Sequence, residues 1–366
     1  MAPTDSTTGR RHGLVGAVAL LHRFFLPTLL AVYILSAIAP GPGTVIREFA
    51  VTLPGGGKER ASMLLLAVLL FCAAAVIQWS QIRDLLERPS VLLIGLLTAW
   101  LGPALLVALF GGMLPWLATN DTTSGMLVGF ALVAAMPVAN SSAGWTQNAG
   151  GNVAISLALI VLSVVLSPLA TPNLLKLMGW ALSADDTDRI EKVVTQFSGW
   201  RFILWVILPS LAGATAAWIA GRDRIIRAKP WFRLITLVTI LVLNYANASL
   251  AMDQVWANES VTVVLIAALM AAAVSILGMV LATLQARLAR LPRAAWTALA
   301  FSLSMKHTGL ALVLAGEFLH DQPRVILMVL LTTLAQHVAA AALDWRLEQT
   351  RHTHAYSGPY DPLQSL

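Results

Sequence analysis

Two short polar runs interrupt long apolar stretches of this chain and carry most of the side chains that could do chemistry. The first is Asn140-Ser141-Ser142 and the second is Lys306-His307-Thr308. Amide and hydroxyl groups donate and accept hydrogen bonds, a neutral imidazole does the same, and lysine supplies a positive charge. Such a set could hold an organic anion. Alternatively, Ser141 or Ser142 beside His307 or His337 would have the groups of a nucleophile and its base.

The composition indicates that these runs lie inside a membrane protein. Of the 366 residues, 58% are hydrophobic and 11% are charged, whereas soluble domains carry roughly 25% charged residues. A water-soluble globule, a disordered chain and a disulfide scaffold are therefore disfavoured, the last because there is a single cysteine, Cys72. The net charge of +6 then bears on membrane orientation rather than on nucleic acid, and we expect no nucleic-acid partner.

Ten apolar stretches are candidates for crossing the bilayer, which takes about 20 mostly apolar residues. The first is followed by Pro40-Gly41-Pro42-Gly43, which we expect to end it. Residues 13–21 are too short to cross and predict an interfacial helix; a signal peptide is the competing interpretation, and His22-Arg23 argues against it. The ten stretches are 24–40, 61–81, 91–110, 124–149, 152–171, 200–221, 235–252, 261–284, 294–318 and 325–343.

The basic residues predict the orientation. In a ten-span chain, fifteen lysines and arginines fall on the side that holds both termini, eight fall on the other side, and Lys306 lies inside a span. Because the basic side is the cytoplasmic side, we expect both termini in the cytoplasm and the protein in the cell inner (plasma) membrane.

The fourth span of each half begins apolar and then turns polar, on either side of the polar stretch 184–195. Pro137 lacks an N–H and disrupts a helix, and Gly309 weakens one. Interrupted helices at matched positions in two halves are typical of secondary transporters, whose sites lie at the breaks. We therefore expect an all-α membrane protein of ten transmembrane helices, arranged as two inverted five-helix repeats with helices 4 and 9 broken and crossing.

The expected divisions follow from these spans. They are a tail and interfacial helix at 1–23, a first repeat at 24–183, a connecting loop at 184–199, a second repeat at 200–346 and a C-terminal tail at 347–366.

At the two breaks the sequence resembles the bile acid:sodium symporter family. The family carries Pro-Gly-Gly-Thr-Ala-Ser-Asn in span four and Glu-Val-Gly-Met-Gln-Asn-Ser-Gly-Leu-Ala in span nine. This chain has Pro-Val-Ala-Asn-Ser-Ser-Ala at 137–143, then Gly-Asn-Val-Ala-Ile-Ser at 151–156, and Ser-Leu-Ser-Met-Lys-His-Thr-Gly-Leu-Ala at 302–311. The resemblance implies a transporter rather than an enzyme, without a cofactor.

The sodium sites of that family are degraded in this chain. The resemblance implies two sodium ions bound behind the crossing of the broken helices, and of their ligands only Ser142 and Ser156 persist. Hard cations prefer oxygen ligands, especially charged ones, and no Asp or Glu lies in the apolar core of any span. The remaining ligand positions are occupied by Ala143, Ile160, Thr98 or Ala99, Ser302 (for a Glu) and Lys306 (for a Gln).

The net charge of the site suggests what replaced the sodium ions. One carboxylate and two sodium ions carry a net charge of +1, as does a pocket with a protonated Lys306 and no carboxylate. A lysine in mid-membrane costs about 2.5–3.5 kcal/mol on insertion scales and is by default a functional residue. We therefore expect sodium-independent transport, with the ammonium donating to hydroxyls and carbonyls between Pro137 and Ser142. If the lysine releases its proton, transport is proton-coupled; if it stays charged, the protein is a facilitator or an exchanger.

The resemblance also implies the substrate contacts. The family's substrate-facing positions correspond to Asn140 and His307, with Ser141 and Thr308 beside them. Together with Lys306 and the positive ends of half-helices, these residues predict a small organic anion, bile-acid-like, with a carboxylate or sulfonate group.

Four alternatives stay open. A sodium-coupled symporter would need a rebuilt site, and a sensor without transport would bind but not move its ligand. An arsenite-exporter-like permease would want a cysteine at the span-four break, whereas Cys72 lies in span two. An intramembrane serine hydrolase lacks a Gly-x-Ser-Gly pattern around Ser141. Neither a metal site nor an oligomeric state is predicted.

Overall fold

The computed structural model describes residues 20, 24–52, 58–76, 89–117, 125–196 and 203–356. The described part of the chain is nearly all helical, as its apolar runs predict. Its fourteen named helices are α1 (Phe25–Ile38), α2 (Pro40–Glu48), α3 (Ala61–Ala75), α4 (Pro89–Leu117), α5 (Met126–Ala135), α6 (Ser141–Asn148), α7 (Val153–Gly179), α8 (Ala184–Gln196), α9 (Leu208–Ala220), α10 (Arg222–Asn258), α11 (Val261–Leu288), α12 (Arg293–Ser304), α13 (Thr308–Phe318) and α14 (Pro323–Tyr356). A π-helical turn, Ile203–Ile207, precedes α9, and β1 (Ala50–Thr52) pairs antiparallel with β2 (Lys58–Arg60).

Within the described residues, six helices are long and apolar enough to cross a membrane, or seven if α1 and α2 count as one bent span. The six are α4, α7, α10, α11, α14 and the segment that contains α9. Their apolar side chains are exposed on the outside of the bundle: Leu105, Leu169 and Leu269 are each about 70% exposed. So much exposed apolar surface would be unfavourable in water and suits a lipid environment.

The first span ends at the Pro-Gly run, as predicted: α1 ends at Ile38, and Pro40 begins a separate helix, α2, at an angle of 94° to α1. Proline is well suited to a first helical position, where its missing N–H is not needed. The connecting loop expected at 184–199 contains α8, whose Ile190, Val193 and Val194 are buried. The interfacial helix expected at 13–21 lies outside the described residues, apart from Leu20.

The short helices occupy the centre of the bundle. Every residue of α5 is buried, as are nine of the twelve residues of α12 and eight of the eleven residues of α13. Helix α12 packs against α11, α7, α6 and α4, and α5 packs against α14 and α4. The long helices thus surround these short ones.

Candidate functional site

Two pairs of short helices are each separated by a non-helical break in the middle of the bundle. Helix α5 ends at Ala135, the chain is non-helical through residues 136–140, and α6 begins at Ser141. Helix α12 ends at Ser304 and α13 begins at Thr308. Pro137 lies in the first break, as predicted. Gly309 does not lie in the second break but in the first turn of α13; the helix stops earlier because the backbone at residues 305–307 bonds to groups outside it.

The two breaks are paired with each other through their backbones. Val138 and Lys306 form an antiparallel β-bridge, and the Val138 N–H donates to Ser163 Oγ at 3.0 Å. Because the membrane interior offers no water, backbone groups freed by a break need such partners. The bridge consists of two backbone bonds: Ala139 N donates to Met305 O at 3.1 Å, and His307 N donates to Pro137 O at 2.9 Å.

The Lys306 side chain is buried, with 1% of its surface exposed. Its Nζ donates to the carbonyl oxygen of Ala99 on α4 and to that of Met136 at 3.1 Å. The acceptors are therefore not the carbonyls and hydroxyls between Pro137 and Ser142 that we expected. One lies just before that run, and the other is on a different helix.

Both acceptor carbonyls lack the donor that a continuous helix would supply. The Ala99 carbonyl would accept from the N–H of residue 103, and that residue is Pro103, which has none. Met136 is the residue that follows the last turn of α5, where carbonyls are unpaired and the helix dipole is negative. An ammonium at this point satisfies both oxygens and lies at the favourable end of the dipole.

Gln336 on α14 holds the backbone of the same break. Its Oε1 accepts from Lys306 N at 2.9 Å, and its Nε2 donates to Thr308 Oγ1 at 3.2 Å. Residues Gln336 and Thr308 are buried. Sequence reasoning gave Gln336 no role at this site, although a lone amide in an apolar span was the available signal.

Three buried serines form an open chain of hydroxyls. Ser142 Oγ lies 3.1 Å from Ser156 Oγ, which lies 2.9 Å from Ser302 Oγ. The three lie on α6, α7 and α12. Thr98, predicted to join them, is half-buried on α4, and no bond links its side chain to these serines within the described residues. Ser156 is therefore the central member, bonded to both of the others.

Asn140, the last residue of the first break, lies next to His307, the last residue of the second break. His307 Nδ1 accepts from Leu310 N at 3.1 Å and caps α13. In a neutral imidazole the proton then lies on Nε2, which faces the Asn140 side-chain amide at 3.4 Å. The amide oxygen of Asn140 is therefore the atom expected to face it. Asn140 and Ser141 are half-buried where α6 begins. The N-termini of α6 and α13 therefore lie close to each other, together with these polar side chains.

The geometry gives no support to a hydrolase or a metal centre. Among the described residues, the bonding partner of Ser142 Oγ is Ser156, the partners of the His307 ring are Leu310 and Asn140, and no serine pairs with His307. His337 Nδ1 instead bonds to the Thr333 carbonyl at 2.7 Å. The described part of the chain contains no group of three or more His, Cys, Asp or Glu side chains that could hold a metal ion.

Comparison with known proteins agrees with the resemblance seen at the breaks. The profile of the Sodium Bile acid symporter family matches residues 63–258, more than half of the chain. An uncharacterised protein, YbaS of Bacillus subtilis (strain 168), is 23% identical over 302 residues, covering 80% of this chain and 90% of its own. The profile match includes the first break and ends before the second, which carries Lys306. The chain belongs to the sodium bile acid symporter family.

Proposed function

We propose that this protein is a secondary transporter that moves a small organic anion across the membrane by alternating access, without sodium. Membership of a symporter family supports transport as the activity. What distinguishes this chain is that Lys306 and Ser302 stand where the resemblance places a Gln and a Glu of the ion sites, beside Ser142 and Ser156, which persist.

The proposed architecture has more spans than the six or seven that the described helices support. Ten spans would form two inverted repeats at 24–183 and 200–346, joined by 184–199, with tails at 1–23 and 347–366. The matched breaks after α5 and α12 support this arrangement, because inverted-repeat transporters place interrupted helices at equivalent positions. The excess of basic residues on one side supports cytoplasmic termini and an inner-membrane location.

One observation carries the proposal of sodium independence: Lys306 Nζ bonds to the Ala99 and Met136 carbonyls. Carbonyl oxygens at a half-helix C-terminus are the groups that transporters offer to a coupling sodium ion. Here the ammonium occupies them and delivers the same positive charge. Ser142, Ser156 and Ser302 bond to one another, and three neutral hydroxyls without a carboxylate are a poor ligand set for a hard cation such as sodium.

The substrate contacts lie at the positive ends of the half-helices. Asn140 and Ser141 are half-buried at the start of α6, and His307 and Thr308 are at the start of α13. Helix N-termini favour negative charge. We propose that a carboxylate or sulfonate group binds there, on the far side of the bridge from the Lys306 ammonium.

Two modes of coupling follow from the same lysine. If Lys306 stays protonated through the cycle, the protein facilitates or exchanges anions. If it releases its proton to one side, anion and proton move together. Uptake driven by an imposed pH gradient across liposomes separates these modes, since only the second would respond in the direction of the gradient.

The experiment that tests the proposed activity uses purified protein in liposomes. Cholate, taurocholate and a panel of small carboxylates are first ranked by the thermal stabilisation that each produces, and uptake of the best is then measured. Asn140→Leu should abolish uptake. The matched control, Asn173→Leu on the exposed side of α7, should not. Absence of stabilisation and uptake for every anion, with a folded protein, would contradict the proposal.

A further inference from the structure

A wide-open surface cavity of about 450 Å³ lies away from the crossing, where α11 turns into α12. Because it is open rather than enclosed, it suits a group held at the membrane surface better than a fully buried small molecule. Three of its lining residues are arginines, and no acidic residue lines it. The lining includes Thr283, Arg287, Arg290, Arg293 and Trp296.

The three arginines form no ion pair with any acidic side chain in the described ranges. All three are exposed. The Trp296 indole forms a fixed wall beside them, because its Nε1 donates to Thr283 Oγ1 at 3.0 Å. A cluster of positive charge next to a rigid amphipathic ring suits an anionic group that also has an apolar part.

The backbone of the turn caps α11. Arg290 has a φ of 48°, the one positive φ of a residue other than glycine in the described chain. The Leu291 N–H donates to the Ala286 carbonyl at 2.8 Å, and a left-handed residue at this position is a common way to end a helix. This conformation brings Arg290 into the short turn between Arg287 and Arg293, so that three guanidinium groups line one cavity.

The cavity also lies at the end of a lipid-facing stripe. Exposed side chains of α11 recur mostly at intervals of one turn and end beside Arg287: Leu265, Leu269, Ile276, Val280, Leu284 and Leu288. An acyl chain lying along this stripe would bring its headgroup to the arginines.

We propose that the cavity binds the phosphate of an anionic phospholipid, with the acyl chains along α11. Guanidinium groups bind phosphate through paired hydrogen bonds, and basic pockets between membrane helices are typical headgroup sites. The site is distinct from the crossing and does not depend on which anion the protein transports. It gives α12, which leads to the second break, an anchor at the membrane surface.

The test compares the protein in nanodiscs of phosphatidylcholine with and without phosphatidylglycerol, by native mass spectrometry and thermal unfolding. Phosphatidylglycerol should stay bound to the wild type and raise its unfolding temperature. The variant R287A/R290G/R293A has glycine at position 290 because glycine tolerates the positive φ there. The amount of phosphatidylglycerol that stays bound should fall about tenfold or more in this variant. A matched control removes three exposed arginines elsewhere on the same predicted side, as R224A/R227A/R346A.

The outcomes distinguish a specific lipid-binding site from the non-specific attraction of basic residues to acidic lipids. Equal loss of phosphatidylglycerol in the control variant would overturn the proposal. So would equal stabilisation by inorganic phosphate in detergent, which would indicate a site for free anions. If the triple variant does not fold, R287A/R293A leaves the turn residue unchanged and gives the decisive comparison.

Discussion

Replacing Lys306 by methionine removes the ammonium and keeps most of the side-chain volume. The Ala99 and Met136 carbonyls would then lose their donor. Leaving a buried carbonyl unsatisfied costs about 1–3 kcal/mol, so two cost about 2–6 kcal/mol. Against this, the membrane interior no longer holds a charge, which is worth about 2.5–3.5 kcal/mol on insertion scales. The balance is centred on a loss of about 1 kcal/mol, an ordinary value for one substitution, and the variant should fold.

Transport should suffer far more than stability. Without the ammonium, the second break loses its side-chain bonds to α4 and to the Met136 carbonyl of the first break. The backbone bonds between the two breaks remain, but the site loses its fixed positive charge. We expect uptake of the probe anion to fall at least about tenfold, the equivalent of one lost charge-assisted hydrogen bond. Lys306→Ala should regain uptake with propylammonium, which restores an amine, but not with propanol.

The matched control is Lys176→Met, which removes an exposed lysine of α7. It should leave uptake unchanged. If K306M transports as fast as the wild type, or if K176M loses as much uptake as K306M, the assignment of Lys306 fails.

Two further predictions concern the surroundings of the second break. Gly278 on α11 lets that helix approach α12, since an added Cβ would lie 2.3 Å from Leu303 O. Gly278→Ala should therefore destabilise the protein by about 1–3 kcal/mol, whereas Gly112→Ala, with open space around it, should not. Equal unfolding temperatures for the two variants would contradict this packing. His307→Asn keeps an acceptor that can cap α13 but removes the imidazole, so stability should change little while the probe anion binds more weakly by isothermal calorimetry; unchanged affinity would remove His307 from the substrate site.

The apolar stretches predicted where membrane helices lie but not where they end. The stretch 235–252 lies inside α10, which runs from Arg222 to Asn258, and 325–343 lies inside α14. Hydropathy reports the part of a helix that lipid surrounds, whereas the hydrogen-bonded backbone continues into the polar region. The amphipathic α8 was missed for a related reason, because its few buried residues are spaced among charged ones and the mean composition is polar.

At the site, the polar residues could be predicted and their partners could not. Sequence placed Lys306 in mid-membrane and Pro137 at a break. The acceptors of the ammonium are backbone carbonyls, which every residue has, so no residue type marks them. One signal was available: Pro103 leaves the carbonyl four residues before it without a helical donor.

Sodium dependence of wild-type uptake tests the central claim most directly. Proteoliposomes are loaded and diluted so that the probe anion is offered with a sodium gradient or with choline in its place, while radioactive sodium is followed in parallel. With the Lys306 ammonium in the cation position, uptake should be the same in both salts and no sodium should enter with the anion. Uptake that requires sodium, with sodium entering alongside the anion, would contradict the account.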